Sequence, residues 1–97
     1  PDIRNTKIVD IYTELKKLGS KVSIFDPWVD KEIAMKEYGI TMIDYPEEKK
    51  YDGIIMAVGH NEFKEMGVDK VRNFGLDPHI LLDLKYIFDL SDVDLRL

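Results

Sequence analysis

The sequence predicts an α/β fold in which a mostly parallel β-sheet carries helices on both faces, a three-layer sandwich. The first indication is alternation: short apolar runs that suit buried strands are separated by segments with the apolar spacing of helices. The second is the run GIIMAV at residues 53–58, whose continuous apolar character is typical of a strand covered on both faces. Parallel strands need helical crossovers, and the predicted order of helix, strand, helix, strand, strand, helix, strand supplies them.

A helix is predicted over residues 6–18 because its apolar residues recur at intervals of three and four. Asn5 or Thr6 can cap its start, and Gly19 ends it. A fold of this class normally opens with a strand on which the first helix packs, and no such strand precedes residue 6. We therefore expect the chain to be a fragment of a longer polypeptide, without its first strand. The apolar stripe consists of Ile8, Ile11, Tyr12, Leu15 and Leu18.

Residues 21–26 form the next predicted strand because they are rich in β-branched and aromatic side chains. Pro27 ends this strand, since proline has no N–H to donate to a ladder. A helix follows over residues 31–38 and a short strand over 40–43. The side chains of that helix that we expect to point inward are Ile33, Ala34 and Tyr38.

The second half of the chain repeats this alternation around the 53–58 strand. Asn61 can cap a helix that turns Phe63 and Met66 inward. A second short helix covers residues 68–73, and the apolar run HILLDL places a further strand within residues 78–84.

Composition excludes several classes of function. A net charge of −5 argues against a nucleic-acid or anionic-membrane partner, because both require a positive surface. The absence of cysteine removes disulfides, thiolate metal sites and a cysteine nucleophile from this segment. No apolar run approaches the roughly 20 residues of a transmembrane helix. We expect a cytoplasmic location and no metal site.

Asp26 follows a predicted strand, where dinucleotide-binding folds place the acidic residue that binds a ribose. That reading requires a glycine-rich turn roughly 20 residues upstream. Residues 1–8 contain no glycine, so a structural role at the end of the strand is favoured for Asp26.

Three other polar residues are candidates because of their positions along the predicted sheet. Ligands of open α/β sheets bind beyond the carboxyl ends of the strands, where His60, Lys85 and Arg4 are expected. The two cations could hold a phosphate or could pair with nearby acids, and position alone does not decide between these readings. His79 is expected at the opposite edge, too far from His60 to share a metal.

Four segments, taken in order, resemble the C-terminal domain of the UDP-glucose/GDP-mannose dehydrogenase family. They are PDIRNTKIVDI, IFDPWVD, YDGIIMAVGHNEFKEM and LLDLKYIFD with a closing DLRL. The resemblance covers essentially the whole chain and is nearest to bacterial enzymes that oxidise UDP-N-acetylhexosamines for capsule or O-antigen polysaccharides.

The resemblance implies a Rossmann-like domain, residues 1–97, that holds the UDP portion of a UDP-sugar. The complete enzyme would oxidise the C6 alcohol to a uronic acid with NAD, which a separate N-terminal domain binds. It would be a homo-oligomer, and its catalytic cysteine would lie upstream, so the fragment alone should be inactive. Within this chain the resemblance implies no catalytic residue.

The resemblance also assigns a UDP-binding role to particular residues. Lys85 matches a basic position, arginine in many members, that contacts the nucleotide diphosphate. Arg4 matches an Asp-x-Arg segment that is either structural or substrate-facing, and Arg96 matches a closing arginine to which the resemblance gives no role. Both are kept as candidate UDP-binding residues, as is His60 for its position.

Two other classes of function remain open alternatives. One is a non-catalytic regulatory module such as a receiver domain, although GIIMAVGH lacks the phospho-accepting aspartate that a receiver needs after its third strand. The other is an assembly domain whose exposed apolar surface drives self-association.

Overall fold

A computed structural model describes residues 8–96, which form two compact units that divide between Pro46 and Glu47. We call them the N-terminal unit (residues 8–46) and the C-terminal unit (residues 47–96) and describe each by itself. Both contain helices, and the sheet within residues 8–96 is a parallel pair of strands. The α/β class and the parallel pairing are thereby confirmed. The prediction of one domain over residues 1–97 stays a prediction.

The N-terminal unit contains two helices, α1 (Ile8–Lys17) and α2 (Lys31–Tyr38). Its core is a cluster of Ala34, Ile40 and Met42, because these side chains are almost completely buried. Partly buried apolar side chains pack against this cluster; they are Ile8, Val9, Tyr12, Ile24, Val29 and Tyr38.

Three predictions for this unit are wrong in detail. The predicted strands 21–26 and 40–43 reduce to one parallel bridge between Ile24 and Met42, because these segments pair over a single position. Leu18 is 80% exposed because α1 ends at Lys17, one residue before it. Ile33 is 52% exposed, since α2 buries Ala34 instead.

Helix α2 has a defined cap at each end. The carboxylate of Asp30 accepts hydrogen bonds from the backbone N–H groups of Glu32 and Ile33, at 2.8 and 3.2 Å. Gly39 adopts the left-handed conformation, φ +66°, which costs glycine little because it has no Cβ. The predicted helix over residues 31–38 is thus confirmed.

Asp30→Ala is expected to destabilise the chain by about 1 kcal/mol, because two N–H groups lose their acceptor. Asp30→Asn, which retains an acceptor oxygen, is the control and should cost less. Urea unfolding of the chain measures both variants. Equal losses for alanine and asparagine would show that the cap does not stabilise α2.

The C-terminal unit is a β-α-α-β crossover. Strand β1 (Tyr51–Met56) pairs in parallel with β2 (Gly75–Asp83), and two short helices connect them, α3 (Asn61–Met66) and α4 (Val68–Arg72). In the register, Ile54 lies opposite Leu81 and Met56 opposite Asp83. The predicted strands are thus confirmed with shifted bounds, and β2 starts three residues earlier than predicted.

The two faces of this sheet differ in burial. Leu81, Asp83 and Met56 lie on one face and are buried, as are Phe63 of α3 and Val71 of α4, which pack in the same unit. On the other face Ile80 is 54% exposed and Ile55 is also exposed. The prediction that the β1 strand is covered on both faces is therefore wrong for the structure described, because only one face of the sheet is packed.

The C-terminal segment runs along the free side of β2. After a 3₁₀ turn at Leu90–Asp92, Leu95 forms a parallel bridge with Leu82. The N–H of Asp83 donates to the Leu95 carbonyl at 3.0 Å, and the N–H of Asp94 donates to the Leu81 carbonyl at 2.9 Å. These bonds fix the tail against the strand that ends at the candidate site.

None of the helices within residues 8–96 has the length and apolar character that crossing a bilayer requires.

Candidate functional site

The carboxyl ends of β1 and β2 bring two predicted site segments together. Gly59 and His60 follow β1, and Lys85 follows β2. A Cβ placed on Gly59 would lie 3.9 Å from the Cβ of Lys85, so the two segments are in van der Waals proximity. Because parallel strands end on the same side, this edge is where an α/β sheet binds its ligands.

Lys85 presents an exposed side chain at this edge. Its backbone N–H donates to a carboxylate oxygen of Asp83 at 3.1 Å, which fixes the main chain at the base of the side chain. No ion pair within residues 8–96 involves its ammonium group. The structure therefore gives no support for a salt bridge between Lys85 and an acid within residues 8–96. The Lys85 ammonium group is available to an anionic ligand.

His60 occupies the N-cap position of α3, and its carbonyl accepts the N–H of Phe63 at 3.1 Å. The imidazole makes no capping bond and stacks on the Phe63 ring, with centroids 5.7 Å apart. Asn61, the predicted cap, is instead the first residue of the helix. His60 is half-buried, so its ring packs on the helix while its loop borders Lys85.

Asp83, the last residue of β2, is fully buried. One carboxylate oxygen accepts the N–H of Lys85, and the other accepts the N–H of Phe88 at 2.9 Å. Burial raises the pKa of Asp83, but the N–H groups of Phe88, Ile87 and Lys85 together with the charge of Arg96 outweigh that effect and hold it below its ordinary value. The carboxylate is therefore ionised and holds the loop that carries Lys85.

Arg96 lies over the same loop. Its guanidinium is 3.8 Å from the second carboxylate oxygen of Asp83, donates to the carbonyl of Phe88 and lies 4.6 Å from the centroid of the Tyr86 ring. The side chain is mostly buried, and Nε has no hydrogen-bond partner among residues 8–96. Arg96 thus contacts protein groups at the site, and the prediction that it contacts UDP stays a prediction.

The remaining sequence candidates lie elsewhere. Arg4 falls outside the described residues. Asp26 accepts the N–H of Trp28 at 2.9 Å, a local turn that agrees with a structural role. His79 lies at the middle of β2, one residue before the partner of Gly53, whereas His60 lies beyond the end of β1. The structure does not bring the two histidines together along the ladder.

His79 belongs to a polar cluster that holds the tail. Arg72 of α4 donates to the Asp94 carboxylate at 3.1 Å and to the Asp92 carbonyl at 3.0 Å, and it lies 3.0 Å from His79 Nε2. Asp94 also accepts the N–H of Leu81 at 2.8 Å. The N–H of Leu81 and the Arg72 guanidinium hold the pKa of Asp94 below its ordinary value, against a smaller opposing effect of burial.

Stability is expected to fall on acidification because Asp83 and Asp94 both have lowered pKa values in the folded chain. A carboxyl group with a lowered folded pKa stabilises fully above its unfolded pKa, about 4, and loses that contribution as the pH falls through the folded value. Urea midpoints measured against pH should therefore decline below about pH 4, and less steeply in Asp94→Asn. Asp69→Asn, an exposed carboxylate on α4, is the control. If the urea midpoint of Asp94→Asn falls as steeply on acidification as that of the wild type, the claim that ionised Asp94 stabilises the folded chain is contradicted.

The rest of the described structure offers weaker candidates. Residues 8–96 contain no group of three or more His, Cys, Asp or Glu side chains that could hold a metal ion. An open cleft of about 480 Å³ in the N-terminal unit is lined mainly by Met35, Ile40 and Met42 with Lys31 and Lys36, and includes none of the predicted site residues.

Asp83 is the site residue that sequence reasoning placed least well. From the sequence alone it is one of the nearby acids with which Lys85 or Arg4 could pair. The useful signal was its position two residues after Leu81, which puts it on the same face of the strand. An acid on the buried face of an apolar strand must be paired or hydrogen-bonded, which would have pointed to the loop around Lys85.

Comparisons with known proteins agree with the predicted resemblance. Residues 1–90 match the model of the UDP-glucose/GDP-mannose dehydrogenase family, UDP binding domain. The chain is 54% identical over 97 residues to a UDP-N-acetyl-D-glucosamine 6-dehydrogenase of Pseudomonas aeruginosa and 52% identical over 97 residues to one of Salmonella typhi. It is 36% identical over 94 residues, 97% of its length, to Protein CapL of Staphylococcus aureus.

These relatives are much longer than this chain. All of the chain is covered in the two 6-dehydrogenase comparisons, but it spans only 23% of each of those proteins and 22% of Protein CapL. No solved structure is significantly similar to it. The family model extends over both structural units and includes Gly59, His60 and Lys85. The chain belongs to the UDP-glucose/GDP-mannose dehydrogenase family, in which it matches the UDP-binding domain.

Proposed function

We propose that this chain is the UDP-holding domain, residues 1–97, of an NAD-dependent UDP-sugar 6-dehydrogenase. The observation that carries the proposal is the proximity of Lys85 to Gly59, the residue before His60, beyond two parallel strands in a chain that matches a UDP-binding domain. In the complete enzyme the sugar C6 alcohol is oxidised to a uronic acid that is used for capsule or O-antigen polysaccharide. The enzyme is cytoplasmic and homo-oligomeric.

Lys85 supplies the charge that this function needs. An ammonium group attracts a diphosphate as a point charge, without the two-pronged geometry of arginine. Gly59 has no side chain on the surface next to Lys85, so the diphosphate can approach the backbone there. His60, Arg4 and Arg96 are further UDP-binding residues in this proposal, and Arg4 lies outside the described residues.

The role of the domain in catalysis is positioning. UDP is the part of the substrate that does not react, and its binding energy can hold C6 in line with the reacting groups. In this proposal the nucleophilic cysteine lies elsewhere in the full-length protein, because this chain contains none.

The residues of this chain do not fit NAD. A dinucleotide site requires a glycine-rich turn between a strand and a helix, and neither the sequence ahead of α1 nor the 57–60 loop has the G-x-G-x-x-G pattern. In this proposal another domain of the full-length protein binds NAD.

An assembly role is the second candidate because Ile55 and Ile80 leave an exposed apolar face on the sheet. Sedimentation of this chain tests it: a stable dimer that Ile80→Lys abolishes would favour assembly, and a monomer would remove its support.

The proposed function is tested by mixing the full-length protein with UDP-N-acetylglucosamine and NAD and following NADH formation and UDP binding. Saturable NADH production, inhibited competitively by UDP, is the expected result. Failure of UDP to compete with the substrate would contradict the proposal.

A further inference from the structure

Asp83 is a buried carboxylate whose oxygens both bind the backbone of a single loop. Its two oxygens accept the N–H groups of Lys85 and Phe88, which begin and end residues 85–88. We call these residues the 85–88 loop. A side chain that bonds both ends of a loop restricts its backbone more strongly than a bond at one end would.

The 85–88 loop needs such a restraint because one of its residues has an uncommon conformation. Tyr86 has φ +55°, in the left-handed region that side chains other than glycine rarely adopt. Residues in such regions persist only where the surrounding structure holds them. The bonds from Asp83 flank Tyr86 on both sides, and the direction of the Lys85 side chain depends on the same backbone.

Arg96 provides the counter-charge for this carboxylate. Its guanidinium is near Asp83, donates to the Phe88 carbonyl and lies over the Tyr86 ring, so it contacts both the carboxylate and the loop. A buried ionised carboxylate needs such a partner, because leaving it unpaired is costly.

We propose that Asp83 is a positioning residue for the diphosphate: it fixes the 85–88 loop so that the Lys85 ammonium is aimed at the phosphates, and Arg96 is its counter-ion. The inference rests on the proposed function, since it assumes that Lys85 binds the diphosphate. It assigns Arg96 a role through Asp83 in addition to any contact with the ligand. Asp83 itself touches neither UDP nor the sugar.

A purely structural role for Asp83 makes a different prediction. General destabilisation lowers the affinity for every ligand of the site and adds to the effect of losing Lys85. A positioning role acts only through Lys85, so it affects only ligands that carry phosphate. It also adds nothing once Lys85 is removed, because coupled residues show non-additive effects.

The experiment is a double-mutant cycle in the full-length protein, with the dissociation constants of UDP and uridine measured by calorimetry. The variants are Lys85→Ala, Asp83→Asn and the double variant. In Asp83→Asn one amide oxygen replaces the two acceptors, so one of the two loop N–H groups faces an NH₂ donor. Asp94→Asn is the matched control, because Asp94 also accepts a backbone N–H but does not contact the 85–88 loop.

We expect Asp83→Asn to weaken UDP binding about fivefold, while uridine binding stays within about twofold of the wild type. In the Lys85→Ala background the same substitution should change UDP binding by less than about twofold. Asp94→Asn should leave both constants unchanged. Additive losses, or equal losses for UDP and uridine, would overturn the inference.

Failure of the inference can be separated from failure of the proposed function. If the wild type does not bind UDP, the proposed function fails. If Lys85→Ala weakens UDP binding and Asp83→Asn does not, only the inference fails. Should Asp83→Asn not fold, Arg96→Gln and Arg96→Lys replace it. Arg96→Gln should weaken the binding of UDP but not of uridine, and Arg96→Lys should retain part of the UDP affinity that Arg96→Gln loses. Equal UDP affinity in the wild type and both Arg96 variants would overturn the inference.

Discussion

Lys85→Ala is expected to weaken UDP-sugar binding by about tenfold or more, because one charge-assisted contact to a phosphate contributes about 1.5–3 kcal/mol. NAD affinity should not change, since the proposed function places the dinucleotide site in another domain of the full-length protein. The loss should appear chiefly in KM, because UDP is bound alike in the ground and transition states. Binding of UDP and NAD by the full-length protein, measured separately, checks the result.

Two variants serve as controls for Lys85→Ala. Lys64→Ala removes an exposed lysine of α3 that is not a candidate site residue, and it should leave UDP binding unchanged. Lys85→Arg keeps the charge and should retain most of the affinity. If Lys85→Ala binds UDP as tightly as Lys64→Ala does, Lys85 is not a UDP-binding residue.

Leu81→Ala is expected to cause a large loss of stability, about 2–5 kcal/mol. Leu81 is completely buried in β2, opposite Ile54 of β1, and its carbonyl accepts the N–H groups of Asp94 and Leu95. Truncation removes apolar contacts and leaves a cavity that the surrounding strands can fill only in part. Urea unfolding of the chain measures the effect.

Ile80→Ala is the control for this substitution, because Ile80 precedes Leu81 in the same strand but is exposed on the other face. Its cost should be below about 1 kcal/mol, since little buried surface is lost. Comparable losses for the two variants would mean that the Ile80 face is covered in solution and that the described burial pattern is incomplete.

The C-terminal unit was predicted better than the N-terminal unit. The continuous apolar runs around Ile54 and Leu81 favour strands, and these two strands pair with each other. The local strand preference and the long-range pairing therefore agree. Residues 21–26 have equally suitable side chains, but strand propensity does not supply a partner, and their pairing is limited to Ile24 with Met42. The spacing of Leu18 fits the apolar stripe of α1, but periodicity does not locate the end of a helix to one residue.

The candidate site could also be predicted from the sequence only in part. The rule that ligands bind beyond the carboxyl ends of strands placed Lys85 and His60 at one edge, and the structure brings Lys85 next to Gly59. The bonds from Asp83 to the 85–88 loop could not be predicted, because they depend on the backbone conformation of that loop. The contacts of Arg96 depend in turn on where the tail pairs with β2.

Hydrogen–deuterium exchange of the full-length protein, with and without UDP, tests the central claim most directly. If UDP binds beyond the ends of β1 and β2, peptides covering residues 57–60 and the 85–88 loop should be protected when UDP is added. Peptides from the cleft-lining residues 31–42 should not change. Protection confined to residues 31–42, or UDP binding without protection at either strand end, would contradict the account.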